Sequence, residues 1–226
     1  MDQQATTKRT ALLVGGTGLV GRALLSLLLA SDQYRKVHLL VRRAAPTLPS
    51  SAKLNVHRAE FAQLTNSGVP SADDVFIALG TTIKVAGSED AFRRVDFDYV
   101  VNTARAGLAA GARRLAVVSA MGADAKSRVF YTRVKGEMEI AISQLGYETI
   151  VTAQPSLLLG DRGDLGQPPR RAEDLATRLI EPISWIVPKT LRPIHAQDVA
   201  AAMVAAVLAA RPGVVRLSSG AMQGCG

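Results

Sequence analysis

Residues 11–21 read ALLVGGTGLVG. Four apolar residues, Ala11 to Val14, run straight into a turn holding Gly15, Gly18 and Gly21, and an apolar helical stretch, LVGRALLSLLLA, follows at 19–30. Three spaced glycines carry little information alone; between a strand and a helix they carry much more. Each glycine has a separate reason to be there. A side chain at Gly15 would clash in a tight turn, Gly18 lets the backbone approach a pyrophosphate, and Gly21 lets the helix pack closely. The helix opening then offers free N–H groups and a partial positive charge to phosphates. Gly15, Thr17, Gly18, Leu19, Val20 and Gly21 form the first candidate cofactor-binding set. A purely structural strand-to-helix turn is the alternative.

Outward from this turn, short apolar runs alternate with helical patterns. The pattern predicts strands near 10–14, 37–41, 54–57, 74–79, 115–119 and 149–153, with a last one at 214–217. Helices are predicted over 18–30, 97–110, 129–145, 172–185 and 196–210. Such alternation is the mark of an α/β fold, a doubly wound parallel sheet of Rossmann type. The 226 residues suit a single domain spanning 1–226 with a small C-terminal appendage on the substrate side. A loop and helix at 160–190 form that appendage, and the tail at 221–226 is expected to fray.

The second predicted strand ends in LLVRR. Sites that hold NAD place an acid there for the ribose hydroxyls. Arg42 and Arg43 stand there instead. A guanidinium pairs well with the extra 2′-phosphate of NADP through forked, charge-assisted hydrogen bonds. NADP is therefore favoured over NAD, the alternative being that one or both arginines face solvent. The fourth strand ends in ALGTT, so Leu79, Gly80, Thr81 and Thr82 would line the crevice at the carboxyl edge.

Tyr131 and Lys135 lie four apart on a predicted helix and share one face. Ser119 closes the preceding strand at the same edge of the sheet. A lysine ammonium and a cationic nicotinamide would favour the phenolate of such a tyrosine. Tyr131 could then move the hydroxyl proton of a carbonyl or alcohol while hydride moves at the nicotinamide. Ser119 would orient the substrate oxygen. A Tyr-x-x-x-Lys pair alone is common on helix surfaces; the upstream serine and the glycine turn make these three the candidate catalytic set.

Longer stretches carry a resemblance. GGTGLVG at 15–21 and YTRVK at 131–135 resemble the atypical branch of the short-chain dehydrogenase/reductase superfamily. ALGTTIKVAGSEDAFRRVDFDYV at 78–100, SAMGADAKSRVFYTRVKGEME at 119–139, PSLLLGDR at 155–162 and PIHAQDVA at 193–200 are more specific. They resemble the small NAD(P)-binding oxidoreductases related to the HIV Tat-interactive protein, often described as NAD-dependent epimerase/dehydratase-like. The similarity covers about residues 10–218. It implies bound NADPH, the roles above for Ser119, Tyr131 and Lys135, and passage of Pro155, Ser156 and Leu157 near the nicotinamide. Related chains often read Arg-Pro where this one has Gln154-Pro155. The C-terminal substrate domain of the sugar-nucleotide epimerases is largely absent, which points away from epimerisation.

Composition narrows the rest. The net charge is +8, yet the basic residues are scattered in pairs such as Arg93-Arg94 and Arg113-Arg114, without an aromatic platform. Nucleic-acid binding is not expected. Aromatic residues are only 4%, so aliphatic side chains must fill the core. Cys225 is the single cysteine, and His38, His57 and His195 are scattered, which gives no metal-ligand spacing. His38 and His57 read as structural, while His195 could line the substrate pocket or be structural. Asn102, on the helix before Ser119, could face the lysine or solvent. No stretch reads as a membrane span, and the polar start MDQQATTKRT lacks the apolar core of a signal peptide, so a cytoplasmic chain is expected. No Gly-Lys-Ser/Thr phosphate loop or Gly-x-Ser-x-Gly elbow occurs.

Two functions follow as expectations. The first is an NADP-dependent oxidoreductase acting on a small carbonyl or alcohol. The second is an NADPH-binding sensor that works through a protein partner with little turnover. Oligomeric state is open, a homodimer among the outcomes.

Overall fold

A computed structural model describes residues 8–43, 48–64, 68–159 and 190–226. Seven parallel strands form one sheet: β1 (Arg9–Val14), β2 (Tyr34–Val41), β3 (Leu54–Arg58), β4 (Asp74–Ile77), β5 (Arg114–Val118), β6 (Thr149–Gln154) and β9 (Gly213–Ser218). Their order is β3-β2-β1-β4-β5-β6-β9. β7 (Leu158–Leu159) and β8 (Ile194–His195) pair separately. The order reverses direction between β1 and β4, and such switch points open a crevice at the carboxyl edge of the sheet.

Strand β1 is apolar on both faces because both faces are covered. Leu13, with Phe76 of β4, packs toward α1 (Leu19–Ala30) and α6 (Ala196–Ala209). Leu12 and Val14 pack with Val75 and Ile77 toward α4 (Tyr99–Ala109) and α5 (Phe130–Ser143). Full burial of each such leucine stabilises the fold by about 1.5–3 kcal/mol. The amino edge of the sheet is closed by a polar staple. Arg9 forks onto the fully buried Asp74, and the Tyr34 hydroxyl donates to the same carboxylate at 2.9 Å. Burial, and then the Asp74 charge, push the Tyr34 phenol up. The Asp74 hydrogen bond likewise raises the Arg9 guanidinium.

Most expected elements appear with ends shifted by one to three residues. The largest difference precedes α4. The helix expected to begin at Phe97 is entered much earlier, through α2 (Ile83–Ala86), α3 (Glu89–Arg93) and a π-helical turn at Arg94–Asp98. Thr82 and Ser88 cap the two short helices, accepting from Val85 N and Ala91 N. The stretch 78–82 is a loop rather than the end of β4. The tail expected to fray is tied back instead: Ser219–Met222 forms α7, and the Gly226 amide donates to Asp198 Oδ1 at 2.9 Å. The loop and helix expected at 160–190 fall almost wholly outside the described residues. No helix among the described residues is long and apolar enough to cross a membrane.

Candidate functional site

The turn after β1 is held by its glycines. Gly15 adopts φ +84°, and a Cβ on it would meet the Ala78 carbonyl oxygen at 2.4 Å. A Cβ on Gly21 would meet the Gly15 carbonyl oxygen at 1.9 Å, so it is the turn, more than the sheet, that demands this glycine. Gly18 differs, because a Cβ there would make only an ordinary 3.4 Å contact with Gly15 O. Packing does not require Gly18; a ligand lying against the turn would.

A crevice opens between this turn and the ends of β4 and β5. Gly18, Leu19, Val20, Leu79, Gly80, Thr81 and Thr82 line it, together with Ser119, Tyr131 and Lys135. The predicted catalytic set and seven of the predicted cofactor residues therefore share one cavity. Ser119 is 4% exposed and its Oγ has no hydrogen-bond partner. Ser119 lines the crevice, and a buried hydroxyl left without a partner at such a place is suited to an incoming oxygen. The Tyr131 ring rests on Phe92 of α3, with centroids 5.5 Å apart.

Lys135 is buried, and its Nζ lies 2.7 Å from Asp96 Oδ1. The other carboxylate oxygen of Asp96 accepts from the Thr81 amide at 2.9 Å. Asp96 sits in the π-helical turn and also lines the crevice. Sequence reading missed it. Asn102, the residue considered there, instead donates to the Phe61 carbonyl oxygen at 3.4 Å.

Thr17 lies apart from the crevice, in a second hollow with Gly16, Arg22, Leu25, Ser26, Leu48 and Pro49. This hollow lies against the turn, and Arg22 was another residue the sequence reading passed over. Arg42 and Arg43 follow directly on β2 and are exposed. Arg58, also exposed, closes β3 in register with Val41.

Beyond β6, Leu158 reaches the crevice. Pro155, Ser156 and Leu157 form the stretch leading to it, and each is used by the fold. Pro155 O accepts from Met121 N at 3.0 Å, and Leu157 O accepts from Ile194 N at 2.9 Å. The Ser156 hydroxyl donates to the Arg192 carbonyl and contacts Ser219 Oγ. Gln154 donates to both carboxylate oxygens of the buried Glu139 at 2.9 and 3.1 Å. Arg216 of β9 approaches the same carboxylate at 3.7 Å. His195 is exposed at the start of α6, and His38 and His57 bond to each other. No cluster of three or more potential metal ligands occurs among the described residues.

A parallel sheet with a glycine turn at its switch point, and a Ser/Tyr/Lys crevice beside it, defines a Rossmann-fold nucleotide-binding protein. The residues fit a dinucleotide. Gly18 leaves room against the turn, and an unpartnered hydroxyl waits farther in. The profile of the NAD(P)H-binding family matches residues 15–148, and the chain belongs to that family. Its relatives place it in the atypical short-chain dehydrogenase/reductase group. It is 32% identical over 219 residues to "Protein FMP52, mitochondrial" of Coccidioides immitis, covering 90% of this chain and 87% of that one. It is 33% identical over 183 residues to Protein HTATIP2 of Rattus norvegicus, covering 78% and 73%. Among solved structures, Bordetella bronchiseptica WbmG in complex with NAD superposes with a TM-score of 0.68 at 18% identity, covering 97% of this chain and 75% of that one. MoeE5 in complex with UDP-glucose and NAD gives 0.68 at 18% identity, covering 92% and 76%. At that identity the likeness shows the fold alone. The expectation of a cytoplasmic chain is corrected here, because several fungal relatives are named as mitochondrial proteins.

Proposed function

We propose that this protein is an NADPH-linked reductase of small carbonyl compounds, running also as the reverse alcohol oxidation. The observation that carries the reading is the buried, unpartnered Ser119 Oγ in one crevice with Tyr131 and Lys135, beside the glycine turn. When bound, the nicotinamide would supply the hydride to the carbonyl carbon. Ser119 donates to the carbonyl oxygen and fixes its orientation. The Tyr131 phenol gives its proton to that oxygen as charge develops and regains one from solvent. Lys135, anchored on Asp96, keeps ammonium protons for the phenol and the cofactor ribose.

The preference for NADP rests on charge. Arg42 and Arg43 occupy the strand end where an acid would hold NAD, and Arg22 lines the hollow beside Gly16 and Thr17. No acid lines that hollow among the described residues. Guanidiniums at that strand end favour a 2′-phosphate. Pro155, Ser156 and Leu157 carry the chain past the nicotinamide end, and Thr17 lies toward the adenosine end.

Two variants test the reading. Arg42→Ala combined with Arg43→Ala should weaken NADPH binding about tenfold or more, the worth of one or two charge-assisted hydrogen bonds, and leave NADH binding unchanged. Equal loss for both cofactors removes the phosphate argument. Tyr131→Phe should keep NADPH affinity and lower carbonyl-dependent NADPH oxidation by about 10²–10⁴-fold. Unchanged turnover in that variant refutes the assigned chemistry.

A further inference from the structure

Below the crevice, the chain buries an ion pair that a helix-surface Tyr-x-x-x-Lys pattern does not require. Asp96 and Lys135 are 1% and 3% exposed, with 2.7 Å between Oδ1 and Nζ. Burying two charges is expensive, and a hydrophobic pair in their place is often no less stable. The pair therefore has its best explanation in the site. The geometry points to Asp96 as a positioning residue that sets Lys135 and couples it to the cofactor-lining loop 79–82. This inference rests on the reading of Lys135 given above.

The coupling is made of named contacts. Oδ1 of Asp96 takes the ammonium while Oδ2 takes the Thr81 amide, so one carboxylate joins the lysine to the loop after β4. Gly80 stands beside it; a Cβ there would lie 3.5 Å from Asp96 Oδ1. The lysine has one more neighbour, the Val118 carbonyl oxygen, at a long 3.5 Å. An ammonium carries three donors. The Val118 carbonyl accepts one weakly, Asp96 Oδ1 stands 2.7 Å away as a charge partner without accepting one, and the ammonium lines the crevice. Against a carboxylate, the Lys135 ammonium is held in place as a donor whose charge is balanced. Any displacement of Gly80 or Thr81 on cofactor binding is transmitted to that donor through a single side chain.

Asparagine at 96 keeps the size and one oxygen for the Thr81 amide but removes the charge that faces Lys135. The experiment is a double-mutant cycle on the full chain with Asp96→Asn, Lys135→Met and the pair together. It is read by NADPH fluorescence titration and by steady-state carbonyl reduction. Asp96→Asn should weaken NADPH binding by about three- to tenfold and lower kcat about tenfold, while the carbonyl KM stays within about twofold. A residue acting through Lys135 adds nothing once the lysine is gone, so the double variant should match Lys135→Met in both readouts. Losses from Asp96→Asn that persist in the Lys135→Met background overturn the inference, as do unchanged affinity and kcat in the single variant. If Asp96→Asn alone fails to fold, the comparison of Lys135→Met with the double variant, which leaves no buried charge unpaired, decides the same point. The affinity arm needs no turnover. A chain that binds NADPH but reduces no carbonyl therefore sinks the reductase reading, while the cycle still judges Asp96.

Discussion

The carbonyl oxygen of Gly15 lies 1.9 Å from the point where a Cβ on Gly21 would stand. The neighbouring Gly18 has 3.4 Å in the same direction. The fold thus demands the glycine at Gly21, while packing leaves room for a side chain at Gly18.

The contrast predicts opposite phenotypes. Gly21→Ala forces backbone against backbone, which side-chain motion cannot relieve. It should destabilise the chain by about 3 kcal/mol in urea denaturation. Gly18→Ala sits at the N-cap of α1 with φ −82°, a conformation alanine adopts. Its stability should change by less than about 1 kcal/mol, while NADPH affinity falls about tenfold or more as the methyl meets the pyrophosphate. Full affinity in a well-folded Gly18→Ala variant would remove the pyrophosphate from this turn.

Much of the nucleotide half was legible because its causes are local. A strand, three glycines and a helix lie within twenty-two residues, and neighbouring backbone groups decide their geometry. Ser119, Tyr131 and Lys135 were legible because a strand end and an i, i+4 pair are also local patterns. Asp96 was not. In RRVDFDYV, Asp96 and Asp98 look alike, yet Asp96 is buried on Lys135 and Asp98 is exposed. The wider turn at Arg94–Asp98 changes the helical register there, and no residue in the stretch announces it. Arg22 was passed over for a different reason. It reads as one polar position on an apolar helix, and only the assembled hollow shows it beside Gly16 and Thr17. The Gln154–Glu139–Arg216 contact joins α5, β6 and β9, a juxtaposition that exists only after folding.

The edge of the sheet carries a pH dependence. His38 Nδ1 and His57 Nε2 are 2.9 Å apart on β2 and β3, so one ring must donate and the other accept. Burial, then His57 and Lys36, hold the His38 imidazole below its ordinary range. The unfolded chain therefore binds a proton at His38 at a higher pH than the folded chain does. In the window between, stability rises with pH. The contribution is complete above the ordinary imidazole pKa of about 6.5 and declines as pH falls from there toward the lower folded value. Urea midpoints measured between pH 7.5 and 5.5 should fall more steeply for the natural chain than for His38→Gln. Parallel curves would show that the imidazole pair is not a source of acid sensitivity.

Gly136, one residue past Lys135, governs how the loop after Ser119 meets helix α5. A Cβ there would lie 2.2 Å from Ala125 N and 2.3 Å from the Asp124 carbonyl carbon. The Asp124 amide is also bonded to the Thr132 carbonyl oxygen at 3.0 Å, so the loop is held against the helix that carries Tyr131. Alanine at 136 must push loop and helix apart, since both contacts are backbone. The displacement falls between Ser119 on one side and Tyr131 with Lys135 on the other, while the glycine turn after β1 is remote from it in the chain. Overpacking of this kind costs about 1–3 kcal/mol. A shift of about 1 Å between groups that act on one atom can lower a rate about 100-fold. Gly136→Ala should therefore lower kcat far more than NADPH affinity, with a urea midpoint still in the folded range at assay temperature. If kcat and stability both match the natural chain, the backbone approach at Gly136 does not hold the candidate catalytic side chains in place.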